Sequence, residues 1–122
     1  MIAWLAVAAG GATGSMTRYG VGLLLARVTG FPWATLAVNV TGAFAAGLLY
    51  AVWLSRAAPE WRALLLVGFL GGFTTFSAFS LETLLLLQQG QPARALANVA
   101  LNVALCLLAC GAGLSLGRTL AA

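Results

Sequence analysis

The stretch Gly71-Gly72-Phe73-Thr74-Thr75-Phe76-Ser77-Ala78-Phe79 sets a double glycine, hydroxyl side chains and closely spaced aromatics into the middle of an otherwise apolar segment of membrane length. Glycine and β-branched threonine are poor helix formers, so a helix is predicted to break here. Hydrocarbon cannot hydrogen-bond an interrupted backbone. A break at this depth is tolerated only where it is buried in protein or lines a water-filled cavity. Backbone groups freed in this way are what discontinuous membrane helices use to build ion sites. The chemistry on offer is ion binding and passage rather than bond making.

Two ionisable residues lie inside apolar segments and are functional candidates by default. Arg18 sits about two thirds of the way along the first, and Glu82 follows Phe79 by three residues, both toward the same membrane side. Arg18 reads as a structural or vestibule residue that also has the reach to snorkel. Glu82 continues the line of the central patch toward a pore mouth, its alternative being a pairing with Arg18. Asn39, Asn98 and Asn102 need partners in hydrocarbon, and are either interhelical glue or the wall of a polar pathway. Cys106 and Cys110, four apart, read as small buried hydrophobes.

The elements that must position these residues follow from composition. The chain has 122 residues, of which 62% are hydrophobic and 7% charged, with a mean hydropathy of +1.03, leaving too little polar surface for a soluble domain. It reads as an integral membrane protein. Six scattered arginines make no nucleic-acid patch. The absence of histidine, with only two cysteines, excludes the usual His or thiolate metal sites and His-dependent triads. An enzyme is not expected.

Four spans are predicted, at about residues 2–26, 32–54, 61–87 and 93–116, in a single domain with an all-α fold. Short turns with Gly30, Pro59 and Gly90 join them. Trp4, Trp33, Trp53 and Trp61 all fall at span ends, where indole rings anchor at the headgroups. The opening segment lacks the basic start of a secretory signal and continues into Arg18 and further apolar residues. Arg56, Arg62 and Arg118 fall on the side of the termini, against Arg27 and Arg94, joined by Arg18 if it snorkels there. So even a balance gives little preferred orientation, and an antiparallel, dual-topology dimer is the expectation. Stripes of small and polar residues support helix contact: Gly11, Gly14, Arg18 and Gly22; Thr35, Asn39, Gly42 and Ala46; Asn98, Asn102, Cys106, Cys110, Gly113 and Gly117.

Three motifs together carry a family resemblance. They are Gly10, Gly11, Gly14 with Arg18; the run from Ala34 to Phe44 containing Asn39 and Gly42; and the run from Gly68 to Glu82. In these the chain resembles the small bacterial fluoride channels of the Fluc/CrcB family, over essentially its whole length. The third-span motif is the most specific of the three.

The resemblance implies a passive, fluoride-selective channel in the bacterial inner membrane, built as an antiparallel homodimer with two pores and a structural sodium ion at the dimer centre. It implies that the backbone carbonyls of Gly71 and Thr74 hold the sodium, with the same pair from a second copy. By the same similarity Phe76 and Phe79 are the pore phenylalanines, whose positive ring edges can face a partly dehydrated anion. Asn39, Thr75, Ser77, Asn98 and Asn102 would supply donors along the path, and Glu82 and Arg18 the vestibule. Two departures stand out: Ala78 replaces a threonine in the usual Phe-Ser-Thr-Phe, and Asn98 and Asn102 stand where many members place a fourth-span tyrosine. The rival readings are a proton-coupled small multidrug or guanidinium exporter, which would rely on an acid in the first span that this chain lacks, and a non-transporting assembly subunit.

Overall fold

The computed structural model describes residues 1–122 and is helical throughout, with no strand. Helix α1 is Ile2–Leu24. Helix α2, Trp33–Leu49, runs on through a π-helical turn at Tyr50–Leu54. Helix α3 starts at Pro59–Arg62, continues as the π-helical Ala63–Leu70 and ends with Gly71–Phe73. Helix α4 is Phe76–Gln88 and α5 is Pro92–Ala121. Pro59 and Pro92 stand in the first turns of α3 and α5, where no amide partner is lost. Gly30 and Gly90 take positive φ, 89° and 71°, in the loops before α2 and α5.

Trp33–Leu54, Pro59–Gln88 and Pro92–Ala121 are long and apolar enough to cross a bilayer. Helix α1 has 23 residues, enough for ~30 Å of hydrocarbon, but Thr13, Ser15, Thr17 and Arg18 lower its apolarity. Thr13 and Thr17 return their hydroxyls to the carbonyls of Ala9 and Thr13, at 2.9 and 2.8 Å, which hides them from lipid. The last helix reaches five residues beyond the predicted end at 116, since hydropathy marks where the apolar core stops and not where helical pairing stops.

The core is apolar, with Leu36, Leu54, Leu70 and Leu86 buried, but it also holds Asn98 and Asn102, while leucines such as Leu107 (71% exposed) cover the outside, as a hydrocarbon surround permits.

The helices form two parallel pairs that run against each other. In the first pair α1 lies on α3, with Gly10 against Leu64 and Gly68, and Gly14 against Phe69 and Phe73. A Cβ at either glycine would overlap a backbone carbonyl of α3, so the main chains themselves are in contact. Gly22 meets nothing within 4 Å and takes no part, although it shares the stripe. In the second pair α2 lies on α5, with Gly47 against Cys110 and Leu114, Gly113 against Phe44 and Leu48, and Gly117 against Leu48 and Ala51. Trp53 and Trp61 meet edge to face at 5.5 Å at one end of the molecule, and Trp33 packs on Phe31 at the other.

Candidate ion site at the helix break

The break falls inside the expected run, just after the double glycine. Gly71 keeps helical angles (φ −63°, ψ −36°), and the chain becomes extended at Thr74 (φ −82°, ψ 159°) and Thr75 (φ −153°, ψ 120°). Gly72 serves close approach instead: a Cβ there would stand 2.6 Å from the Gly11 carbonyl and 3.0 Å from Ser15 Oγ.

Asn39 of α2 holds the extended segment. Its Oδ1 accepts the Thr75 N–H at 2.8 Å, and its Nδ2 donates to the Thr75 carbonyl at 3.0 Å. One amide side chain thus pairs both backbone groups of Thr75, as a neighbouring strand would. Thr75 Oγ1 then caps α4 by accepting the Ala78 N–H at 3.1 Å. Gly42 leaves room for this geometry, because a Cβ there would strike Thr74 Cγ2 and the Phe73 ring.

From Asn39 the hydrogen bonds continue into α5. Asn39 Nδ2 also donates to Asn102 Oδ1 at 3.0 Å, and Asn102 Nδ2 donates to the carbonyl and the Oδ1 of Asn98, at 3.0 and 2.9 Å. Asn98 Nδ2 donates to Thr83 Oγ1 at 3.0 Å, and that hydroxyl donates to the Phe79 carbonyl at 2.7 Å. The ladder leaves the break through α2, crosses α5 and returns to α4. It brings together Asn39, Thr75, Asn98 and Asn102, and Ser77 joins through its Oγ, 3.2 Å from Thr75 Oγ1.

Phe76 and Phe79 pack together with ring centroids 5.2 Å apart and planes tilted by 53°. Phe79 is buried whereas Phe76 is 77% exposed. Phe69 and Phe73 stack on each other at 5.9 Å, a second phenylalanine pair on the other side of the break. Asn39, Thr75, Asn102, Phe76 and Phe79 line one groove of about 540 Å3, with Leu70 and Cys106 among its apolar walls. Cys106 and Cys110 are free thiols and only partly buried.

Gly71 and Thr74 border the same groove. The amides four positions on from them are engaged elsewhere, Thr75 N–H with Asn39 and Ala78 N–H with Thr75 Oγ1. The two carbonyls are therefore released from helical pairing on one wall, a donor set of neutral oxygens that suits a hard cation. Gly72, between them, spends its carbonyl on Arg18 Nε at 3.0 Å.

Arg18 and Glu82 do not meet. Arg18 turns to α3, and Glu82 Oε1 accepts from Thr35 Oγ1 at 2.7 Å while its Oε2 is buried without a partner. Thr83, the end of the ladder, escaped the sequence reading, although it lies four residues from Phe79 on the same helix face; Thr35 was read as part of the helix-contact stripe with Asn39, but not as the partner of Glu82.

The family model described as "CrcB-like protein, Camphor Resistance (CrcB)" matches residues 5–114. The chain belongs to the CrcB family. Curated relatives of this CrcB chain include three proteins named "Fluoride-specific ion channel FluC". That of Shewanella amazonensis is 55% identical over 106 residues, covering 84% of this chain and 86% of the relative. That of Paracoccus denitrificans is 51% identical over 118 residues, covering 96% and 95%. That of Rhizobium meliloti is 49% identical over 120 residues, covering 95% and 96%. The CrcB match takes in the helix break and every residue of the ladder.

Proposed function

We propose that this chain is a fluoride channel that lets the anion leave the cytoplasm down its electrochemical gradient. The observation carrying this is the full-length similarity to relatives named for fluoride conduction, on a chain whose helix break supports a phenylalanine pair. The path runs along the groove. Phe76 and Phe79 offer positive ring edges to an anion that has shed part of its water, without a fixed cation that would trap it. The polar wall consists of Thr75, Ser77, Asn39 and Asn102, with the fully buried Asn98 behind Asn102 rather than on the path, and Arg18 and Glu82 flank it as vestibule residues.

The working unit in this reading is an antiparallel homodimer of four-span chains with two pores in the bacterial inner membrane. Its support is the near balance of arginines between the two sides and the exposed apolar groove at the break. The carbonyls of Gly71 and Thr74, with the same pair from the second copy, would hold a sodium ion. Bound there, the ion would neutralise converging carbonyl dipoles and tie the copies together.

One observation favours a second reading. A half-buried Glu82 whose Oε2 is buried without a partner is a group that a proton-coupled exporter could use. Purified protein reconstituted in liposomes separates the two. A channel releases fluoride but not chloride to an ion electrode, and Phe79→Ile stops it. A protein that carries guanidinium against a proton gradient, with no fluoride release, is the exporter.

A further inference from the structure

We infer that Arg18 is a positioning residue for the cation site: its hydrogen bond to the Gly72 carbonyl fixes the end of α3 and, with it, the Gly71 and Thr74 carbonyls on either side. The inference rests on the sodium-bearing dimer of the proposed function and gives Arg18 a task there beyond the vestibule.

The last carbonyls of α3 lead there. Leu70 accepts from both the N–H and the hydroxyl of Thr74, at 2.9 and 2.8 Å, and its carbonyl is the last in the helix to keep its ordinary partner. Gly71 and Gly72 lose theirs because the chain is extended at Thr74 and Thr75. Gly71 borders the groove, whereas the Gly72 carbonyl is capped from another helix, by Arg18 Nε at 3.0 Å. A cation on the final carbonyls also suits the negative end of the helix dipole.

Helix α1 holds the arginine in place. Gly11, Ser15 and Arg18 share the helix face toward α3, and a Cβ on Gly72 would meet both Gly11 and Ser15. Gly14, between them, lies against the backbone of Phe69 and Phe73. The bond therefore ties the end of α3 to a helix whose main chain is already in contact with it.

Two effects of Arg18 on a neighbouring cation oppose each other: its charge repels the cation, and its bond sets the oxygens that would hold it. The bond to Gly72 is partly buried. The guanidinium, by contrast, borders a hollow of about 380 Å3 with Ser15, Tyr19 and Leu23, where water screens the charge. The bond is thus the larger effect.

The test is the melting temperature of the purified protein against sodium concentration, with N-methylglucamine replacing sodium at constant ionic strength, for the parent, Arg18→Met and Arg18→Gln. Glutamine keeps an N–H as many bonds from the backbone as Arg18 Nε and removes the charge, whereas methionine removes both. A cation held only by the folded protein raises the melting temperature once its concentration passes the dissociation constant. Arg18→Met is expected to move that onset up by about tenfold, the effect of one lost charge-assisted hydrogen bond, and Arg18→Gln to leave it within about threefold of the parent. A lower onset in both variants would make repulsion the larger effect, and an equal rise in both would make the charge and not the bond responsible; either overturns the inference. So does an unchanged onset with a melting temperature lowered equally at every sodium concentration, or a variant that fails to fold in saturating sodium. A parent whose melting temperature is indifferent to sodium refutes the cation site itself, and fluoride flux from that parent in liposomes would leave the channel reading standing.

Discussion

Gly47 of α2 and Gly113 of α5 offer a quantitative test of the packing beneath the site. A Cβ at Gly47 would overlap the Cys110 carbonyl oxygen and stand 2.9 Å from Leu114 N; one at Gly113 would overlap the Phe44 carbonyl oxygen and stand 2.9 Å from Leu48 N. The obstacles are backbone atoms and cannot rotate away. Ordinary contact begins near 3.4 Å, so the helices must part by about half an ångström or more, enough to forfeit roughly a quarter of the dispersion well along the contact. In a membrane, where burial supplies no compensating hydrophobic gain, overpacking of this kind should cost about 1–3 kcal/mol for Gly47→Ala or Gly113→Ala alone. Both wedges push the same two helices apart, so relief of one relieves the other. The double variant should fall short of the sum by about 1 kcal/mol or more. Equilibrium unfolding in mixed micelles of sodium dodecyl sulfate measures all three. Strict additivity, or singles that cost nothing, would refute the picture of a shared backbone contact. The same separation would stretch the 3.0 Å bond between Asn39 and Asn102, so both variants should also lose flux.

Thr75→Val removes the cap of α4 and should cost about 1 kcal/mol of stability, whereas Thr75→Ser, which keeps the oxygen, should cost less; thermal melts in detergent compare them. Phe76→Ile should leave stability within about 0.5 kcal/mol, because the ring is exposed, while Phe79→Ile should cost about 1 kcal/mol, and both should lose fluoride flux. Glu82→Gln keeps an oxygen for the Thr35 hydroxyl, so passive fluoride efflux should persist within about threefold. Complete loss of transport in that variant would point to proton coupling instead.

Much of this molecule is legible in the sequence because the membrane simplifies it. Apolar length gives the spans, and a polar, aromatic interruption gives the break. The break was expected within the run from Gly71 to Phe79 and falls there, at Thr74 and Thr75, while Gly71 and Gly72 remain helical. Glycine relaxes the backbone and also permits close approach, and no local pattern says which use applies; here α1 decides it by lying against Gly72. The extended pair is Thr74 and Thr75 because Asn39, 36 residues away from Thr75, supplies the pairing that a helix would have supplied. Such a clamp has no local signature. The asparagines could be read as glue or as pathway, and the bonds they make within one chain show the glue directly. The separate paths of Arg18 and Glu82 were hidden for the same reason: equal depth in a bilayer does not place two side chains on the same helix face.

The division into two parallel helix pairs also governs how the chain can be made. Helix α1 finds its partner α3 after a single intervening helix, but α2 must await α5, which is made after both α3 and α4. Until residues 92–121 are inserted, the glycine face of α2 has only lipid against it and Asn39 lacks its neighbour on α5. Nascent chains would thus pass through an intermediate in which one helix pair is assembled and the other is half made, with its amide facing hydrocarbon. The groove is complete only once α5 is in place. A chain interrupted before α5 keeps the Asn39 clamp on Thr75 but lacks Asn102, Val103, Cys106 and Leu107, and with them one wall of the groove.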